Sequence, residues 1–84
     1  MRLLLQLKPA GGEAPRFVQL MLQEDLLGGW SLLRESGHTG GRSQAKVEQF
    51  TDRDAAMAAF ENARDTQLRR GFQVMFAQGS EAPK

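Results

Sequence analysis

The residues best suited to chemistry in this chain are basic side chains around a glycine-rich segment at residues 35–44. Arg34 precedes the segment, Arg42 lies within it, Lys46 follows it, and His38 stands near its middle. Guanidinium and ammonium groups neutralise phosphates, and antiparallel pairing of the flanking strands would bring Arg34 beside Lys46. These residue types therefore favour binding of a nucleic-acid backbone.

The same charges can also be interpreted as ordinary solvated side chains. Glu35 and Glu48 would then offset Arg34 and Lys46, and the glycines would serve a hairpin turn. The segment also differs from a strand-to-helix phosphate loop, because it joins two strands and lacks a Gly-Lys-Ser/Thr ending. Both interpretations of the basic residues stay open at this point.

Trp30 and the pair Arg69-Arg70 are similarly ambiguous between structure and binding. A lone tryptophan in a strand favours packing over base stacking. Two arginines at the end of a helix complement the helix dipole, and they could also contact phosphate. We therefore expect Trp30 to pack against the core and the two arginines to stabilise the end of the helix.

Catalytic chemistry has little support in the residue inventory. The chain has one histidine, no cysteine and no tyrosine, and its acidic residues are scattered along the sequence. No acid–base pair or metal-ligand cluster is therefore expected to converge on a pocket. We predict a protein that is not an enzyme and that needs no cofactor or metal.

Length and charge set further bounds. The chain has 84 residues, no cysteine and a net charge of +1, so we expect one small domain at residues 1–77 and a disordered polar tail at residues 78–84. The apolar run at residues 1–8 is interrupted by Gln6 and is too short for a signal peptide or a membrane span. It favours a strand in a cytoplasmic protein without a membrane partner.

Hydrophobic periodicity predicts the elements that must position the basic residues. A period of two appears at residues 2–8, 17–23, 30–34, 45–50 and 72–76, separated by turn-forming stretches. A period of 3.6 at residues 52–70 predicts one helix, with a capping signal from Thr51 to Asp54 and Gly71 as the C-cap. The expected fold is α+β, an antiparallel meander of four to five strands covered by one α-helix.

The order of these segments resembles the WGR domain family. The resemblance covers residues 3–72 and rests on residues 16–25 (RFVQLMLQED), residues 30–34 (WSLLR), Gly37, Gly40, residues 46–50 (KVEQF) and residues 69–72 (RRGF). The family occurs beside the catalytic domain of DNA-dependent poly(ADP-ribose) polymerases and in bacterial proteins that contain little else. The resemblance thus implies a bacterial, stand-alone binding module.

The triplet that names the family falls on Ser36, Gly37 and His38. In the polymerases the tryptophan packs on a sugar at a DNA end and the arginine engages the backbone. Ser36 offers a hydroxyl without a stacking surface, and His38 lacks the forked guanidinium. Arg42 is the residue that could replace the missing arginine.

Two functions from different classes follow. The first is a nucleic-acid-binding module, for DNA ends or single strands, whose site residues are Arg34, Ser36, Gly37, His38, Arg42 and Lys46. The second is a protein-interaction or regulatory adaptor that docks through apolar side chains expected to be exposed, namely Leu4, Phe17, Leu26 and Leu27. The sequence leaves open DNA against RNA, the protein partner and the oligomeric state.

Overall fold

The computed structural model describes residues 1–79, which form a five-stranded antiparallel sheet with one helix packed against it. Its elements in chain order are β1 (Arg2–Leu7), β2 (Arg16–Glu24), β3 (Trp30–His38), β4 (Ser43–Phe50), α1 (Arg53–Arg69) and β5 (Gln73–Gln78). The strand order is β4-β3-β2-β1-β5. The predicted α+β fold is confirmed. Of the predicted tail, Gln78 ends β5, and residues 80–84 lie outside the described part of the chain.

Strand register explains how the alternating sequence builds the core. Leu3 and Leu5 of β1 pair with Leu20 and Val18 of β2, and Leu22 pairs with Leu32 of β3. Because side chains alternate between sheet faces, these residues share the face that α1 covers. The buried core consists of Leu3, Leu5, Val18, Leu20, Leu22, Leu32, Ala56, Phe60, Ala63 and Phe72.

The helix begins and ends where local hydrogen bonds satisfy its free backbone groups. Asp52 is the N-cap, and its carboxylate accepts from the backbone N–H groups of Asp54 and Ala55, both at 3.3 Å. At the other end Phe72 N–H donates to Gln67 O (3.0 Å) and Gly71 N–H donates to Leu68 O (3.1 Å), which is a Schellman motif. Gly71 has φ of +97°, a conformation that favours glycine.

The β3–β4 hairpin extends further than the sequence predicted. Pairing continues from Trp30↔Phe50 to Gly37↔Ser43, so residues 35–38 and 43–44 are strand, and the loop predicted over residues 35–44 shrinks to residues 39–42. Glycine and serine have low strand propensity, which hid the strand ends from a sequence pattern. Thr39 N–H donates to Pro15 O (2.8 Å), which ties the hairpin tip to the β1–β2 connector.

The one helix of the described residues was compared with the requirements of a membrane span. Within residues 1–79, no helix combines the length and the apolar character that a membrane span requires.

Candidate functional site

The basic residues of the hairpin lie on the helix-facing side of the sheet, beyond the edge of the core. Arg34 pairs with Lys46 in the β3–β4 register, and Ser36 pairs with Gln44 one step toward the tip. These positions alternate with the same phase as buried Leu32, so they face the side on which α1 lies. The expected proximity of Arg34 and Lys46 is confirmed.

Arg34 is held by a carboxylate. Its guanidinium forms an ion pair with Glu48, and both side chains are 43% exposed. Glu35 accepts a hydrogen bond from Ser43 Oγ at 3.1 Å. Within residues 1–79, Lys46 has no ion-pair partner. The charge of Arg34 is thus largely offset, and the charge of Lys46 is not paired directly.

Gly37 has a steric role in the hairpin. A Cβ atom at this position would collide with the carbonyl oxygen of Arg42 and would lie 2.8 Å from Ser43 Cα. Two strands approach so closely here that only glycine fits without a backbone shift. The glycine of the triplet therefore fixes the geometry of the tip around His38.

Two adjoining grooves lie between the hairpin and α1. The first, here called the central groove, has a volume of about 510 Å³ and is bordered by Arg34, Lys46 and Glu48 from the sheet and Ala59, Asn62 and Thr66 from the helix. The second, called the tip groove, has a volume of about 490 Å³. Both volumes fall within the range of small-ligand pockets.

The tip groove collects basic residues from three separate parts of the chain. Arg16 comes from the start of β2, His38 and Arg42 from the hairpin tip, and Arg70 from the C-terminal end of α1. Among residues 1–79, no aspartate or glutamate lines this groove. The three arginines are exposed to solvent. Guanidinium groups gathered in this way are suited to an anionic ligand.

Arg16 is absent from the sequence-predicted site, and Arg70 was expected to act mainly at the helix end. Strand register could have identified Arg16, because Arg16 pairs with His38 when β2 and β3 are aligned on their apolar residues. The position of Arg70 depends on how α1 crosses the sheet, which periodicity does not specify. The residues predicted from the sequence are divided between the two grooves. The tip groove is lined by Ser36, Gly37, His38 and Arg42, and the central groove is lined by Arg34 and Lys46.

Trp30 lies at the other end of β3. It is partly buried against the core, and the guanidinium of Arg53 lies 5.8 Å from its ring centroid. Its expected packing role is confirmed. Ser36 lies six positions further along β3, roughly 20 Å away, so Trp30 does not contribute to the tip groove.

The turn between β2 and β3 exposes two leucines. Leu26 and Leu27 are 104% and 97% exposed, while the carboxylate of Asp25 accepts from Leu27 N–H (2.9 Å) and Gly29 N–H (2.8 Å). The sequence prediction is confirmed for these two residues.

Leu4 and Phe17 were also expected to be exposed, and for them the expectation is wrong. Both are partly buried, because neighbouring strands flank them in the sheet. Phe76 is the β5 partner of Leu4, while Gln6 and Gly37 are the partners of Phe17.

Comparison with known proteins gives one match. The family model described as WGR domain matches residues 1–78. No curated protein and no solved structure matches the chain significantly. Within residues 1–79, no group of three or more His, Cys, Asp or Glu side chains is arranged to hold a metal ion.

Proposed function

The chain belongs to the WGR domain family, and we propose that it is a non-catalytic module that binds nucleic acid, with the tip groove holding the phosphate backbone. WGR domains are nucleic-acid-binding modules in poly(ADP-ribose) polymerases. The family supplies the class of ligand, and the arginines of this chain supply the place where it would bind.

The observation that carries the proposal is the charge of the tip groove. Arg16, Arg42 and Arg70 line it together with His38, and no carboxylate from the described part of the chain does. The whole chain has a net charge of only +1, so this local excess of positive charge is offset elsewhere on the molecule. A groove that is basic within a nearly neutral protein favours a local anionic ligand over diffuse attraction.

The chemistry of the groove suits a backbone rather than a base sequence. Guanidinium groups offer planar pairs of N–H donors that match phosphate oxygens, and their charge is permanent. Backbone contacts position a protein on nucleic acid without reading its sequence. We therefore expect affinity that depends strongly on salt and weakly on sequence.

Arg42 takes the role that the arginine of the triplet has in the polymerases. It follows His38 by four residues and lines the same groove, and the tight turn at residues 39–42 brings the two residues to one end of the sheet. Ser36 and His38 add a hydroxyl and an imidazole, which can donate hydrogen bonds to phosphate oxygens. Arg34 and Lys46 flank the adjoining central groove.

Fluorescence anisotropy with short blunt, nicked and single-stranded DNA at two salt concentrations tests this function. Arg42→Gln and Arg70→Gln should each weaken binding of all three probes and reduce the slope of log affinity against log salt by about 1. Arg69→Gln is the matched control, because Arg69 precedes Arg70 but does not line the groove. Equal losses for Arg69→Gln and Arg70→Gln, or no binding at low salt, would contradict the proposal.

A second function is favoured by the β2–β3 turn. Leu26 and Leu27 are almost fully exposed on a turn that Asp25 fixes through two hydrogen bonds. Two apolar side chains presented on an ordered turn are suited to insertion into a pocket of a protein partner. The chain would then act as an adaptor that docks through this turn.

A further inference from the structure

We propose that the central groove receives the base of an unpaired nucleotide at a strand end, while the tip groove holds the adjacent phosphate. This inference rests on the proposed function and adds the position and the chemical form of the nucleotide. It follows from the shared lining of the two grooves, from their different charge, and from one buried amide.

The two grooves adjoin each other and share part of their lining. Val18, Ser36, Gln44 and Gln67 line both of them. Ser36 faces the helix side of the sheet at this junction, and its small side chain leaves space that a large side chain would fill. A ligand bound by the arginines can therefore extend into the central groove.

The two grooves differ in the ligand part that they favour. In the central groove, Arg34 and Lys46 are balanced by Glu35 and Glu48, and Arg34 is paired with Glu48. Two carboxylates disfavour a second phosphate there. The ligand that fits the pair of grooves is anionic at one end and neutral at the other, as a nucleotide is.

The lining of the central groove matches the polar edge and the apolar faces of a base. Amide and hydroxyl groups come from Asn62, Gln67 and Thr66, and apolar atoms come from Val18 and Ala59. Unpaired bases are recognised by hydrogen bonds to their Watson–Crick edge and by contacts to their faces. A groove of about 510 Å³ is in the size range of a pocket for one small ligand, which favours an unpaired nucleotide over a base pair.

Gln67 supplies an acceptor that the protein leaves unused. Its side-chain Oε1 atom is buried and has no hydrogen-bond partner among the described residues 1–79. An unsatisfied buried acceptor costs free energy, and a ligand donor that reached it would recover that free energy. Gln67 lies at the junction of the grooves, where an exocyclic amine of adenine, cytosine or guanine would be its natural donor.

Two kinds of DNA hairpin probe with the same number of phosphates test the assignment. One ends in a single unpaired adenosine, and the other ends in an abasic residue, each as a 5′ and as a 3′ overhang. The wild-type protein should bind one of the adenosine-ended probes about tenfold more tightly than its abasic counterpart, since the base adds a hydrogen bond and apolar contact. Arg42→Gln should lower the affinity for the adenosine probe and for its abasic counterpart by the same factor.

Variants of the groove complete the test. Ala59→Met should fill the groove and reduce the affinity for the adenosine probe to that for the abasic probe, whereas Ala58→Met, on an exposed and non-lining position, should change nothing. Gln67→Leu should also remove the preference for the adenosine probe over the abasic probe. This second variant tests the base site independently if Ala59→Met lowers the melting temperature.

The possible failures are distinguishable. Equal, salt-sensitive binding of adenosine and abasic probes by the wild-type protein would overturn the base site and leave the phosphate site standing. Absence of binding by every probe at low salt would overturn both. Displacement of the probe by free adenosine monophosphate at a concentration equal to that of the probe would assign the grooves to a free nucleotide and overturn the strand-end assignment.

Discussion

Gly37 gives the sharpest prediction at the scale of one residue. Alanine here would place a methyl group against the backbone of Arg42 and 2.8 Å from Ser43 Cα, so β3 and β4 would have to separate. We expect Gly37→Ala to lower the free energy of unfolding by about 1–3 kcal/mol, measured by urea unfolding followed by circular dichroism.

The matched control is Gly41→Ala in the same hairpin. A Cβ at Gly41 would make ordinary contacts at 3.5 Å with His38, and the turn should tolerate it. This variant should be neutral or up to about 1 kcal/mol more stable, because it restricts the unfolded chain. A Gly37→Ala protein as stable as Gly41→Ala would show that the close approach of the strands is not needed.

The basic residues show how far single positions could be predicted. Antiparallel pairing correctly predicted that Arg34 faces Lys46. The ion pair of Arg34 with Glu48, two residues further along β4, depends on side-chain conformation as well as register. Arg16 and Arg70 join the tip groove only after three distant segments are packed together, so no local pattern marks them as a set.

The N-terminus of α1 gives a test of which residue caps the helix. The sequence signal placed the cap at Thr51, but the structure places it at Asp52, whose carboxylate accepts from two backbone N–H groups. Asp52→Ala should therefore destabilise the protein by about 0.5–2 kcal/mol in thermal or urea unfolding. Thr51→Ala should change stability by less than about 0.5 kcal/mol. The reverse order of the two variants would restore Thr51 as the cap.

Helix and strand bounds differ in how well a sequence specifies them. The helix was predicted at residues 52–70 and spans Arg53–Arg69, because caps at both ends leave local signals. The hairpin strands were predicted at residues 30–34 and 45–50, and both run closer to the tip. Strand pairing there is maintained by the partner strand, despite residues that disfavour strands on their own.

At the scale of the molecule, the two proposed contact regions lie at opposite ends of one hairpin. Leu26 and Leu27 precede β3, Arg42 follows it, and the nine residues of this strand span roughly 30 Å. A variant at one end should leave the other end unaffected, because the two ends are far apart and share no contacting residues.

The double variant Leu26→Ser, Leu27→Ser should bind DNA as the wild type does, since these side chains are exposed and far from the arginines. It should lose protein partners that the wild type captures in a cross-linking pull-down, whereas Arg42→Gln should retain them. Loss of DNA binding in the leucine variant, with its fold intact, would mean that the two ends are coupled.

The α+β class, the order of the elements and the family could be predicted from the sequence alone. These properties depend on periodicity and on local turn and cap chemistry, which are written in consecutive residues. Which charged residues share a groove depends on the tertiary structure. The packing of α1 across β2, β3 and β4 places Arg70 in the same groove as Arg16 and Arg42, and it leaves the side-chain Oε1 atom of Gln67 buried without a hydrogen-bond partner among residues 1–79. Such proximity arises from the arrangement of whole elements, on which a local pattern carries no information.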